Sequence, residues 1–156
     1  MKTLIIFQTK YGSTRQYAEW IQTDLKADLE NVNNADKIDF SKYDRIIFGS
    51  LFYMGKIKIK PFIVKHWDKI KNKKLVLYSV SGRKEDDPNV QVDYKKNFDL
   101  KYRRKMKYFN VQGRITYKDF TLIDQFLVKL ARKKELDAVK KENLKGILKY
   151  VKKIKM

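Results

Sequence analysis

The chain contains no cysteine and a single histidine, His66. The first absence excludes disulfides, thiolate nucleophiles, cysteine-ligated zinc and iron–sulfur clusters. The second excludes a multi-histidine centre, so no metal is expected. His66 sits among lysines in an expected helix and reads as an ordinary helix residue. No apolar run approaches the roughly 20 residues that span a bilayer. The first run, Leu4 to Phe7, is too short for the core of a secretory signal, and no small-residue cleavage site follows it. A cytoplasmic protein is expected. There are two prolines and no Pro/Gly/Ser linker, so the 156 residues should form one domain, 1–156. Neither G-x-G-x-x-G nor G-x-x-x-x-G-K-[ST] occurs, which excludes those two nucleotide-binding signatures.

Acidic residues are also scarce: 18 Asp and Glu stand against 37 Lys and Arg, for a formal net charge of +19. Such a field attracts nucleic acid, anionic lipid or acidic proteins, or it is a solvated lysine-rich surface with no partner. What is present in quantity is apolar and aromatic, 43% and 13% of residues, enough for a packed core.

The chain is organised around residues 3–14. Leu4 to Phe7 reads as a buried strand, and Tyr17, Ala18, Ile21 and Leu25 recur at helical spacing over 13–26. Between them lies Thr9-Lys10-Tyr11-Gly12-Ser13-Thr14, rich in hydroxyls, with one lysine and one glycine. A helix N-terminus offers free N–H groups and a partial positive charge, so this stretch is either an anion cradle or a simple capped helix start. A second strand is expected over 27–32. Ile46, Ile47 and Phe48 form a continuous apolar run over 45–49, the mark of a strand buried on both faces.

After it comes Ser50-Leu51-Phe52-Tyr53-Met54-Gly55, too apolar for an ordinary loop, which either tucks into the core or forms the wall of a pocket for a flat ligand. A helix is expected from Pro61 to about residue 72 and a strand over 74–80. The latter ends in Ser79-Val80-Ser81-Gly82, a loop of small polar residues. A helix from about residue 89 should carry Tyr94, Phe98, Tyr102 and Met106. A half-buried edge strand is expected over 108–115, and two helices over 119–133 and 135–154.

Alternating strands and helices predict an α/β fold with a parallel sheet and helices on both faces. In such sheets ligands bind beyond the carboxyl ends of the strands. Three loops lie there: one suited to phosphate, one aromatic, one small and polar. A single ligand with a phosphate at one end and a flat ring at the other would use all three, which describes flavin mononucleotide (FMN).

These residues resemble a known family. Residues 9–14 are similar to the flavodoxin phosphate loop, 49–55 to the loop covering one ring face, and 79–82 to the third flavin loop. Gly113-Arg114-Ile115-Thr116-Tyr117-Lys118-Asp119-Phe120, followed by Leu122-Ile123-Asp124-Gln125-Phe126-Leu127, resembles a segment of the flavodoxin-type, menaquinone-coupled protoporphyrinogen IX dehydrogenases. The resemblance implies a flavodoxin-like three-layer sandwich, a five-stranded sheet in the order 2-1-3-4-5, and bound FMN. It further implies tetrapyrrole oxidation in haem biosynthesis, with electrons passed to a quinone.

On that basis Thr9, Lys10, Gly12, Ser13 and Thr14 would hold the phosphate. Phe52, Tyr53 and Gly55 would line the ring, and Ser79, Ser81 and Gly82 would meet its edge, with Tyr11, Ser50, Leu51, Met54 and Val80 in the same cofactor site. No catalytic side chain is assigned, because the flavin carries the electron steps. Two alternatives stay open. One is a flavodoxin-type electron carrier or quinone reductase with another substrate, against which the basic charge counts. The other is a non-redox module using a basic block, Arg103-Arg104-Lys105 with Tyr94, Tyr102 and Tyr108 interleaved, although nucleic acid is the less favoured partner. Helix 119–133 and the lysine-rich end suit peripheral contact with an anionic membrane surface at its inner face, or alternatively a solvated outer face.

Overall fold

A computed structural model describes residues 1–154. Its centre is a parallel sheet built from apolar strands: β1 (Thr3–Gln8), β2 (Asp28–Asn31), β3 (Arg45–Tyr53), β5 (Lys74–Ser81) and β6 (Met106–Gln112). They are ordered β2-β1-β3-β5-β6, and a two-residue strand β4 (Lys56–Ile57) folds back on β3. Taking the parallel strands in chain order, this is the 2-1-3-4-5 arrangement. In β1, β3 and β5 successive residues feed opposite cores. Leu4, Ile6, Phe48 and Leu77 pack on one side, and Ile5, Ile47, Val76 and Tyr78 on the other. Continuous apolar runs are what two covered faces require.

The first layer holds α2 (Lys60–Lys65), α3 (Trp67–Ile70), α4 (Asn89–Asn97) and α5 (Leu100–Arg103). The second holds α1 (Ser13–Leu25) and α7 (Lys145–Lys153), through Tyr17, Ala18 and Ile21 and through Ile147 and Val151. None of these helices is long and apolar enough to cross a membrane.

Several expected elements are shorter than their periodicity suggests. The helix of 61–72 breaks at His66, whose buried ring pairs with Asp36 at 2.7 Å and packs against Phe62. The helix expected through Met106 breaks at Phe98, which turns extended to bury its ring. Tyr94, Tyr102 and Tyr108 are buried with it, so no base could stack on them. The strand expected over 108–115 ends at Gln112. The chain then leaves the sheet through β7 (Arg114–Ile115), passes along α6 (Leu122–Leu130) and returns by β8 (Leu136–Asp137), which pairs antiparallel with β7. The last helix is therefore only 145–153 rather than 135–154.

Arg45 shows how α7 is held. It is 2% exposed, its Nε donates to Thr3 Oγ1 at 3.0 Å, and its Nη1 donates to the Val151 carbonyl at 2.9 Å. A guanidinium at the last turn of a helix satisfies a carbonyl that has no helical partner. Arg45→Ala is expected to lower stability by about 2 kcal/mol in urea unfolding, the cost of a lost charged hydrogen bond in a buried setting.

Candidate functional site

The carboxyl ends of β1, β3 and β5 open into one cavity of about 390 Å³. That lies in the range of small-molecule sites. One end is the start of α1. Gly12 has φ +92°, and its N–H donates to Thr9 Oγ1 at 3.0 Å, closing the turn. No side chain caps the helix. The first helical bond runs from Gln16 N–H to the Gly12 carbonyl at 3.0 Å, so the amides of Ser13, Thr14 and Arg15 precede the hydrogen-bond ladder. Thr9, Tyr11, Ser13 and Thr14 line the cavity here.

Thr14 is held from below by the Tyr78 hydroxyl, which donates to its carbonyl at 3.2 Å. Complete burial pushes the Tyr78 phenol well above its ordinary range, so it stays neutral. A Cβ at Gly49 would overlap that hydroxyl. Gly49→Ala should therefore displace Tyr78 from under the loop and cost about 2 kcal/mol. Thermal unfolding checks it, and an unchanged Tm would contradict the role given to Gly49.

The second wall is Leu51, Phe52, Tyr53 and Met54. These residues were expected in a loop, but β3 continues through Tyr53. Beyond its pairing with β1, which stops at Ser50, it pairs with β4 through Phe52–Ile57 and Tyr53–Lys56. The turn between them has positive φ at both Met54 (49°) and Gly55 (76°), the signature of a tight two-residue hairpin. Gly55 serves that turn. Ser50 lies below the wall, fully buried, its Oγ donating to the Leu51 carbonyl at 2.9 Å and accepting from Ile59 N–H at 3.0 Å.

The third wall is Val80, Ser81, Gly82 and Arg83. Buried Asn110 on β6 organises it. Its Oδ1 accepts from Ser81 Oγ at 2.8 Å and its Nδ2 donates to the Arg83 carbonyl at 2.8 Å. Ser79 lies beneath, 2.6 Å from the Tyr108 hydroxyl, whose pKa burial pushes up to about 12.

Sequence reasoning left the fourth wall out of the site. Gly113, Ile115, Phe120, Asp124, Leu127 and Val128 close the cavity from the excursion between β6 and α7. Asp124 is 3% exposed and accepts from three groups: Lys10 Nζ at 2.5 Å, and the Tyr11 and Tyr53 hydroxyls. The Tyr11 ring also packs on Phe120, with centroids 4.6 Å apart. One carboxylate thus ties α6 to both the 9–14 turn and the β3–β4 hairpin. The available signal was a lone acid inside the apolar run Leu122-Ile123-Asp124-Gln125-Phe126-Leu127-Val128. Lys10 points its ammonium at Asp124.

The residues fit FMN chemically. Free amides at a helix start suit a phosphate, and apolar walls suit a flat ring. The lining carries four charged side chains, Arg83, Arg114, Asp124 and Lys133, and the first three are already engaged. Asp124 holds its three donors, Arg83 pairs with Asp93 at 3.2 Å, and Arg114 pairs with Asp137 at 3.0 Å. Such a cavity binds and orients a reactive ligand and supplies little acid–base chemistry of its own.

Among known proteins, the chain is 28% identical over 144 residues to the protoporphyrinogen IX dehydrogenase [quinone] of Escherichia coli strain K12, covering 85% of this chain and 80% of that protein. In structure it resembles a protein from Bacteroides eggerthii described as a flavoprotein, at TM-score 0.51 and 18% identity over 85% of this chain and 99% of that one. It also resembles the Trp repressor binding protein of Bacillus subtilis, at TM-score 0.52 and 15% identity over 74% and 85%. These two likenesses concern the fold. A sequence model of the flavodoxin domain matches residues 4–142, and the chain belongs to that family.

Proposed function

We propose that the protein is an FMN-dependent oxidoreductase that takes electrons from a reduced tetrapyrrole of the protoporphyrinogen IX class and passes them to a quinone. One observation carries the cofactor: an uncapped α1 N-terminus and an aromatic hairpin wall open into the same cavity. When bound, FMN supplies the electron and hydride chemistry. The chain's own groups do the rest. The amides of residues 13–15 and the hydroxyls of Thr9, Ser13 and Thr14 hold the phosphate. Phe52 and Tyr53 cover one ring face. The backbone of 80–82, fixed by Asn110, meets the ring edge.

Two features support a small, apolar substrate over a protein redox partner. The fourth wall covers the cavity, and Ile115, Phe120, Leu127 and Val128 make it apolar. The identity of the substrate rests on the Escherichia coli relative, whose name carries both protoporphyrinogen and quinone. Purified protein is expected to be yellow, or to become so on adding FMN. It should then oxidise protoporphyrinogen IX when a menaquinone analogue is supplied. A protein that takes up no FMN overturns the whole proposal. One that binds FMN but leaves protoporphyrinogen untouched overturns only the substrate.

A further inference from the structure

Helix α6 is apolar over most of its surface, and Gln125 and Lys129, one turn apart, are its narrow polar strip. Its inner residues Asp124, Leu127 and Val128 line the cavity. Its outer residues Leu122, Ile123, Phe126 and Leu130 are 83%, 72%, 65% and 69% exposed. At spacings of one, three and four they form one continuous face. A wide apolar helix face belongs against a core or an apolar phase, and this outer face is exposed. Val64, Val92 and Leu100, the exposed apolar residues of α2, α4 and α5, stand singly on the opposite layer, as isolated surface residues do.

The ground around this face is basic. Lys118 precedes the helix, Lys129 lies on it, and Arg132 and Lys134 follow it, all exposed, while Lys133 borders the cavity. The exposed acids of the same excursion are Asp119, Glu135 and Asp137, the last paired with Arg114. We propose that the outer face of α6 docks on an anionic lipid bilayer, with the four apolar side chains entering the interfacial zone and the surrounding cations meeting lipid phosphates.

Charge selects this occupant. A second copy of the chain, packed face to face, would press each basic rim against its twin on molecules of net charge +19. A nucleic acid would leave the apolar face in water. The inference rests on the proposed function in one respect. Because α6 is also a cavity wall, docking places the cavity beside the phase in which a lipid-soluble electron acceptor dissolves.

The test uses the full chain and sedimentation with vesicles of phosphatidylglycerol and phosphatidylcholine, against vesicles of phosphatidylcholine alone. Binding is expected to the anionic vesicles and to weaken as salt rises. The Leu122→Ser/Phe126→Ser variant should partition about 100-fold less, from about tenfold per buried large side chain. The Lys129→Gln/Lys134→Gln variant should lose roughly fivefold per cation.

FMN titration without vesicles follows the cavity separately, so a failure of membrane docking and a failure of cofactor binding are distinguishable. If the serine variant folds poorly, the exposed lysine pair carries the same test. Absence of vesicle binding, equal binding to the neutral vesicles, or full binding by both variants overturns the proposal. So does a dimer of the native chain that the serine variant abolishes.

Discussion

Ser13→Glu is expected to lower FMN affinity at least about 100-fold, a loss of about 2.7 kcal/mol, while leaving the fold intact. The two halves of this expectation come from the same helix end. Ser13 is the first residue of α1, whose first turn contains no acidic residue and whose start has no side-chain cap. A glutamate there faces the positive end of the helix dipole, which favours it by about 0.3–1 kcal/mol. Thermal stability should therefore hold or rise.

The proposed phosphate occupies the same field and the same amides. Two unit negative charges about 4 Å apart repel by about 4 kcal/mol at an effective dielectric constant of 20. The carboxylate thus competes for the donors and repels the ligand together. Thr14 is a poorer probe, because at 1% exposure a larger charged side chain would disturb the core before it met any ligand. Calorimetric unfolding and FMN fluorescence titration on one preparation settle the matter. A variant as stable as the native chain with unaltered affinity would place the anion elsewhere.

The contrast between what the sequence discloses and what it hides follows from the range of the interactions. Strands β1, β3 and β5 and the turn at 9–14 are legible because their signals are local. Apolar runs, hydroxyls and one glycine sit within a dozen residues of each other, and both faces of the sheet ask for the same apolar side chains. The hairpin at 51–57 is half legible. Its apolar character marks a wall, but the turn depends on Met54 adopting positive φ, for which methionine gives no cue. The helix breaks at His66 and Phe98 are set by partners distant in sequence or by burial, which periodicity does not register. Least legible is the fourth wall. Its position depends on Asp124 meeting Lys10, Tyr11 and Tyr53, which lie 114, 113 and 71 residues away. No spacing rule connects them.

Asp124→Ala should free the segment from Arg114 to Asp137 without unfolding the sheet. Removing one partner of a buried ion pair costs about 3–5 kcal/mol. The lower end applies here, because the Lys10 side chain is 37% exposed and can turn to water. The Tyr11 and Tyr53 hydroxyls lose their shared acceptor as well. The loss falls on a segment tethered outside the main sheet by the two-residue pairing of β7 with β8, so it appears as local opening.

At about 3 kcal/mol, amide exchange in residues 122–130 should quicken roughly 100-fold while β1, β3 and β5 keep their native rates. Asp124→Asn separates charge from hydrogen bonding. An amide oxygen still accepts from the tyrosines but no longer neutralises Lys10, so exchange should fall between the native and alanine rates. Helix α6 and the proposed cofactor would be coupled through the same lysine, because a bound phosphate would offer Lys10 a second anion. If FMN occupies the cavity as proposed, it should slow exchange in the alanine variant more than in the native chain, where Asp124 already holds the helix. Equal exchange in all three proteins would mean that α6 is held by its apolar contacts alone, and that Asp124 is a passenger in the wall.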